Sequence, residues 1–361
     1  MIQILNHKLS LPIIQGGMGV GVSLGNLAGS VAACGGMGVI STVNAGYRET
    51  DFDEHPLEAN LRALKQEIFK ARSLSQGNGM LAINAMVAVN HYEETVTAAI
   101  KAGIQAVISG AGLPMTLPKL TKGTGVAAAP IVSSGKAASV ICRTWDRKYQ
   151  VIPDFMIIEG PRAGGHLGFS RDELLSDTAM DTEEILRAVL TAIAPFEIKY
   201  NKKIPVFVAG GVFNGADMAK MTVLGASGVQ IATRFIATKE CDASEGYKQR
   251  IVAARLEDAI IVKSPVGMPG RALNSPLLKR LDTGEKLPAM RCNLCLKACP
   301  HGEATPYCIS RALIEAVKGN WEDGLFFCGS NVGRINQITT VKDLMTEITT
   351  EWKEAIIPDA M

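Results

Sequence analysis

The sequence predicts an α/β protein built as a (β/α)₈ TIM barrel with a cysteine-containing C-terminal extension. Three observations lead there. Short apolar runs alternate with helix-period segments through the first 255 or so residues, eight times over. The runs are rich in β-branched and small residues, as strands buried on both faces require. Aromatics make up only 5% of the chain against 36 glycines, a balance that suits closely packed α/β layers better than a β-sandwich.

The first strand is expected at Leu11–Gln15, with a helix near Leu24–Ala33, and the second strand at Met37–Ser41. A charged helix follows at about Leu57–Ser73, with apolar residues at Leu57, Leu61, Leu64 and Ile68. Strand three is expected at Met80–Ala85 with helix Tyr92–Ala102, and strand four at Ala106–Ser109 with a helix begun by Pro114. Strand five lies within Gly125–Val132, before helix Ala137–Tyr149, and strand six at Asp154–Glu159, before helix Thr182–Tyr200. Ile204–Ala209 and Gly228–Ala232 give strands seven and eight, followed by helices at Gly215–Leu224 and about Ala243–Arg255. A doubly wound sheet is the alternative, but it calls for a GxGxxG turn, and Gly16-Gly17-Met18-Gly19-Val20-Gly21 has different spacing.

Beyond Arg255 the alternation stops. The expected division is a barrel over 1–257, an irregular Pro- and Gly-rich excursion over 258–289 packed on it, and a Cys-rich, helical extension over 290–361. That extension includes helices at Ile309–Lys318 and from near Thr340.

Composition narrows the function classes. A net charge of +2 without basic runs argues against nucleic acid as a partner. Leu9–Tyr47 holds no charged residue, yet ten glycines interrupt it, so it reads as a buried strand–helix–strand and not as a membrane span. The N-terminus lacks the layout of a signal peptide, and the expectation is a cytoplasmic protein with no membrane partner.

In a barrel of this kind the residues after each strand gather at one face and form the site. Gly210-Gly211 after strand seven and Ala232-Thr233-Arg234 after strand eight suit a phosphate, because glycines let backbone N–H groups approach oxygens closely. Ser133 follows strand five. The strand-six loop, Glu159 to His166, is glycine-rich and sets one of only five histidines at the barrel mouth, where a ring that titrates near neutrality serves as a base. His7, His55, His91 and His301 are read as structural.

With PIIQGGMG, INAM, SGAGLP, EGPRAGGHLGF, VAGGV and ATRFIATKE in this order, the chain resembles the nitronate monooxygenase family, formerly 2-nitropropane dioxygenases. The flavin-dependent enoyl-acyl-carrier-protein reductases are close relatives of that family. The resemblance runs to about residue 280 and implies FMN, a small-molecule substrate and dioxygen. It places Gln15, Gly16 and Met18 along the flavin ring, Asn84 at its edge, Gly165 beside it, and Gly210, Gly211 and Thr233 on the phosphate. Gly17, Ser133 and Ala232 complete the expected cofactor set, although Gly17 stands where proline is frequent and Ala232 where glycine often precedes Thr-Arg-Phe. His166 matches the catalytic histidine. Arg162 stands where many members carry glutamate, which inverts the local charge.

Cys292, Cys295, Cys299 and Cys308 fall outside the resemblance. Four thiolates could hold an iron–sulfur cluster or zinc. On a helix Cys292, Cys295 and Cys299 would share one face and are readable instead as small buried hydrophobes. Three functions remain open at this point: oxidation of alkyl nitronates and nitroalkanes to carbonyl compounds and nitrite, NAD(P)H-dependent reduction of an enoyl thioester, and a flavin or iron–sulfur electron carrier. The oligomeric state is not readable, a homo-oligomer being one option.

Overall fold

In a computed structural model, which describes residues 2–288, 292–299 and 304–356, eight parallel strands close into a barrel. They are β1 (Ile13–Gln15), β2 (Met37–Ser41), β3 (Met80–Met86), β4 (Ala106–Gly110), β5 (Ala127–Val132), β6 (Met156–Glu159), β7 (Val206–Ala209) and β8 (Gly228–Ile231). Each pairs with its neighbour in sequence, and β8 closes on β1 through Val229↔Ile13, Gln230↔Ile14 and Ile231↔Gln15.

The barrel interior is a packed core. Phe155 and Phe207 meet edge to face with centroids 5.9 Å apart, and Ala82, Ala106, Ala127 and Ala129 leave the room those rings occupy. Each ring is fully buried, contributing about 2 kcal/mol by apolar transfer. An antiparallel hairpin not foreseen from the sequence, Ile2–Ile4 with His7–Leu9, adds Ile4 and Leu9 to this cluster.

The uncharged stretch Leu9–Tyr47 creates a capping problem, since helix Gly25–Ala33 has no side-chain cap of its own and no acid in its first turn. Asp242, beyond β8, solves it. Its carboxylate accepts the backbone N–H groups of Leu24 (2.8 Å), Leu27 (3.1 Å) and Asn26 (3.3 Å), while Glu67 accepts that of Gly25 at 2.8 Å. Burial nevertheless raises the Asp242 pKa, the N–H bonds pulling the other way. One buried carboxyl group therefore ties the end of the barrel to its beginning.

The segment over 258–289 is more regular than its composition suggests. Ala259–Lys263 and Pro269–Leu273 form an antiparallel hairpin, and Pro276–Asp282 is a helix. Pro269 opens its strand, a position that tolerates proline. The hairpin pairs with the two-residue strand Gly165–His166 through Gly270↔His166 and Arg271↔Gly165. The last helix, Val341–Ile356, lays Val341, Leu344, Met345 and Ile348 into the same cluster as Ile13, Leu27, Val31, Val229 and Ile231. It covers the β8–β1 seam from outside. Among the described residues no helix is long and apolar enough to cross a membrane.

Candidate active site

A cavity of about 350 Å³ opens where the barrel strands end. Met18, Met86, Leu113 and Ile131 give it apolar walls, with Leu313 and Phe327 added from beyond the barrel. Asn84 at the end of β3 reaches the same space, and Gly17 is there because a Cβ would lie 2.4 Å from that of Asn84. Ser133 lines the wall and donates to the Gly168 carbonyl at 3.2 Å.

A second chamber of about 80 Å³ adjoins the first, sharing Glu159, Gly164, Gln230, Ala232 and Thr233 with it. Gly210 and Gly211 form part of its wall with φ of +92° and +93°, a backbone that side chains rarely adopt. Arg162 lines the same chamber. Thr233 accepts the Gly329 N–H at 2.8 Å, and Asn331 donates to the Gly211 carbonyl at 2.8 Å. The Ser330 hydroxyl, also in this wall, is buried with no hydrogen-bond partner. A buried orphan donor calls for an acceptor that the protein itself does not supply.

The His166 ring lines the main cavity. Its Nε2 lies 2.8 Å from Ser264 Oγ, and the Phe327 ring stands edge-on at a centroid distance of 5.2 Å. Burial pushes its pKa down to about 4, so the imidazole is neutral. Arg271, itself buried, donates to the carbonyls of Pro161 (2.8 Å) and Ala163 (2.6 Å) and so fixes the loop that carries His166.

Most of the expected set is brought together here: Gly17, Met18, Asn84, Ser133, Gly165, His166, Ala232 and Thr233 line the main cavity, and Gly210 and Gly211 the side chamber. Gln15 and Gly16 are not among the lining residues. Gln15 is fully buried and spends its amide on Val39, donating to the carbonyl at 3.2 Å and accepting the N–H at 3.0 Å. The Gly16 N–H goes to the Ile231 carbonyl at 2.8 Å. Both belong to the barrel's closure and not to the cavity wall.

The sequence reading missed Glu159, although its place at the end of β6 was the available signal. Its carboxyl lines both chambers, and burial pushes its pKa up to about 7 against one opposing bond from the Gly168 N–H. An unfolded carboxyl titrates near 4.5, so the folded protein keeps a proton that the unfolded chain has lost. Stability contributed by Glu159 is therefore lost as pH rises from about 4.5 through 7. His166 acts in the other direction below 6.5, which makes the variant comparison the useful one. Relative to the parent, the stability of cofactor-free Glu159→Gln in urea unfolding is expected to rise between pH 5 and about 7.5, because the variant keeps the His166 contribution without the opposing one from Glu159. Ser264, Met268, Phe327, Ser330 and Asn331 were also missed, since no local pattern marks them.

The expectation of a metal or iron–sulfur cluster is not supported. Among the described residues, no group of three or more His, Cys, Asp or Glu side chains is arranged to hold a metal ion. Burial, reinforced by the neighbouring Cys308, Cys292 and Cys299, pushes the Cys295 thiol up to about 11. The segment docks through its backbone: Asn90 N–H donates to the Cys295 carbonyl and Lys297 N–H to that of Ala88, both at 3.0 Å. His301 lies outside the described residues.

A family model described as nitronate monooxygenase matches residues 2–351. The chain belongs to the nitronate monooxygenase family. It is, accordingly, a flavin oxidoreductase. Among curated relatives, a (3aS,4S,5R,7aS)-5-hydroxy-7a-methyl-1-oxo-octahydro-1H-indene-4-carboxyl-CoA dehydrogenase of Rhodococcus jostii is 24% identical, over 94% of this chain and 92% of its own. A probable nitronate monooxygenase of Staphylococcus aureus is 26% identical over 78% and 81%. FabK from Thermotoga maritima superposes with a TM-score of 0.72 at 26% identity, covering 96% of this chain and 94% of its own. Nitroalkane oxidase from Streptomyces ansochromogenes gives 0.72 at 19% identity, covering 96% and 97%, a likeness of fold alone. The two chambers of this family member fit FMN: a broad, mostly apolar cavity for the ring system, and a glycine-walled side chamber with an orphan hydroxyl for the phosphate.

Proposed function

We propose that the protein uses FMN and dioxygen to oxidise alkyl nitronates, and more slowly nitroalkanes, to carbonyl compounds and nitrite. The observation that carries this reading is the neutral His166 ring in the wall of a largely apolar cavity. When bound, FMN supplies the electron acceptor and the reaction with oxygen. The protein's own residues do the rest. Met18, Met86 and Leu113, in the cavity wall, would keep water from the reacting carbon, and Asn84 and Gly165 would border the ring system. Gly210, Gly211, Thr233, Arg162 and Ser330, which line the side chamber, would hold its phosphate. His166 takes the proton from the carbon of a neutral nitroalkane. The burial that keeps its pKa near 4 also weakens it as a base, so nitronates, which arrive without that proton, are the faster substrates.

A second reading, NAD(P)H-dependent reduction of an enoyl thioester, draws support from two observations. Among the described residues no Lys or Arg side chain lines the main cavity, so a neutral substrate is buried there at less cost than an anion. The R. jostii relative is named for a carboxyl-CoA substrate. One experiment separates the two. Flavin absorbance under argon that is indifferent to NADPH, with oxygen uptake on adding a nitronate, is the expected result. Rapid bleaching by NADPH without nitronate-dependent oxygen uptake establishes the reductase instead.

A further inference from the structure

Five residues line both chambers and so mark the neck that joins them: Glu159, Gly164, Gln230, Ala232 and Thr233. Anything that fills both chambers passes between them. Two of the five carry long polar side chains. Glu159 ends β6 and Gln230 lies on β8, and both stand in register with Ala209 of β7, the strand between. Residues paired in this way on parallel strands point to the same face of the sheet. The row therefore reads carboxyl, methyl, amide, with the two polar side chains rooted two strand spacings, ~10 Å, apart. A chain lying over the Ala209 methyl is within reach of both.

Most of the polar atoms in this row are unbonded. Glu159 Oε2 accepts the Gly168 N–H at 3.3 Å, and among the described residues its other carboxyl oxygen has no hydrogen-bond partner. The Gln230 side-chain amide likewise has none among them, although it offers two protons and a carbonyl oxygen. Unlike the Ser330 hydroxyl, neither group is shut away from the chamber space, so both open onto the neck. An alkyl chain drawn through this neck would strip water from both groups and give no bond back. A chain of hydroxyls satisfies them, since each hydroxyl both gives and accepts. We infer that Glu159 and Gln230 form a polyol clamp, receiving over Ala209 the hydroxyl-bearing chain that joins a ring in the main cavity to a phosphate in the side chamber. In FMN that chain is ribityl. Burial lifts the Glu159 pKa to about 7, and an uncharged acid can itself donate as well as accept.

The clamp rests on the flavin reading of the proposed function and adds to it the contacts that recognise the middle of the cofactor. Its test uses the full-length protein freed of flavin and three ligands: lumiflavin, which has the ring without the chain, riboflavin, and FMN. In titrations followed by flavin fluorescence, the parent protein is expected to bind riboflavin at least about tenfold more tightly than lumiflavin. Glu159→Leu and Gln230→Leu each weaken riboflavin and FMN by about tenfold and leave lumiflavin within about twofold. Glu159→Gln, which keeps a hydrogen-bonding edge, stays within about threefold of the parent on all three ligands. Circular dichroism checks that each variant is folded, and the parent comparison needs no variant at all. Equal losses on lumiflavin and riboflavin, or an undiminished riboflavin affinity in one of the leucine variants, overturn the clamp. So does a parent protein that binds lumiflavin as tightly as riboflavin. A parent that binds none of the three refutes the flavin reading itself, and the clamp falls with it.

Discussion

His166→Ala is expected to lower turnover of neutral nitroalkanes by about 10²- to 10⁴-fold while the purified protein keeps its flavin. The range is that of a positioned general base. The ring lines the cavity and meets Ser264 and Phe327, while the side chamber is walled by other residues, so its removal opens space without disturbing that chamber. Nitronates lose less, because the proton in question is already gone. Oxygen uptake with a nitroalkane and its pre-formed nitronate, each normalised to bound flavin, reads both effects. Unchanged nitroalkane turnover would remove His166 from the mechanism.

Gly210→Val is expected to raise the Kd for FMN by about 100-fold or more. Its backbone sits at φ +92°, and even a Cβ there would lie 2.9 Å from the Ala163 nitrogen and from the Gly160 carbonyl oxygen. The substitution therefore strains the turn and pushes the strand-six loop into the side chamber. Losing two charge-assisted hydrogen bonds at about 1.5–3 kcal/mol each accounts for the size of the effect. Circular dichroism checks that the barrel persists, and Ser330→Ala serves as the gentler variant, expected to weaken FMN by about tenfold. Riboflavin, which lacks the phosphate, should lose far less in either case. A Gly210→Val protein that binds FMN as the parent does would place the phosphate elsewhere.

The barrel was legible because each of its parts is a local pattern. β2 falls at Met37–Ser41 as expected, and the helix Thr182–Tyr200 likewise, since strand and helix periods differ sharply in those segments. The cavity wall followed from the order of elements, because Asn84, Ser133, His166 and Thr233 each end or follow a barrel strand and so share one face. What escaped is tertiary. Ser264 meets His166 across 98 residues of chain, and Asn331 reaches Gly211 across 120, and neither pairing leaves a trace in periodicity. The run Ala259–Lys263 does carry a strand-like sequence, but the Pro and Gly around it masked a hairpin that pairs with Gly165–His166. Gln15 shows the opposite failure: it ends a barrel strand, yet its side chain turns to Val39 instead of the cavity.

Comparative titration with FMN and riboflavin probes the central claim most directly. If the glycine-walled chamber with Ser330 and Arg162 receives the phosphate, FMN binds at least tenfold more tightly than riboflavin and leaves the protein yellow after desalting. A protein that takes up neither compound, or that binds both with equal affinity, contradicts the account.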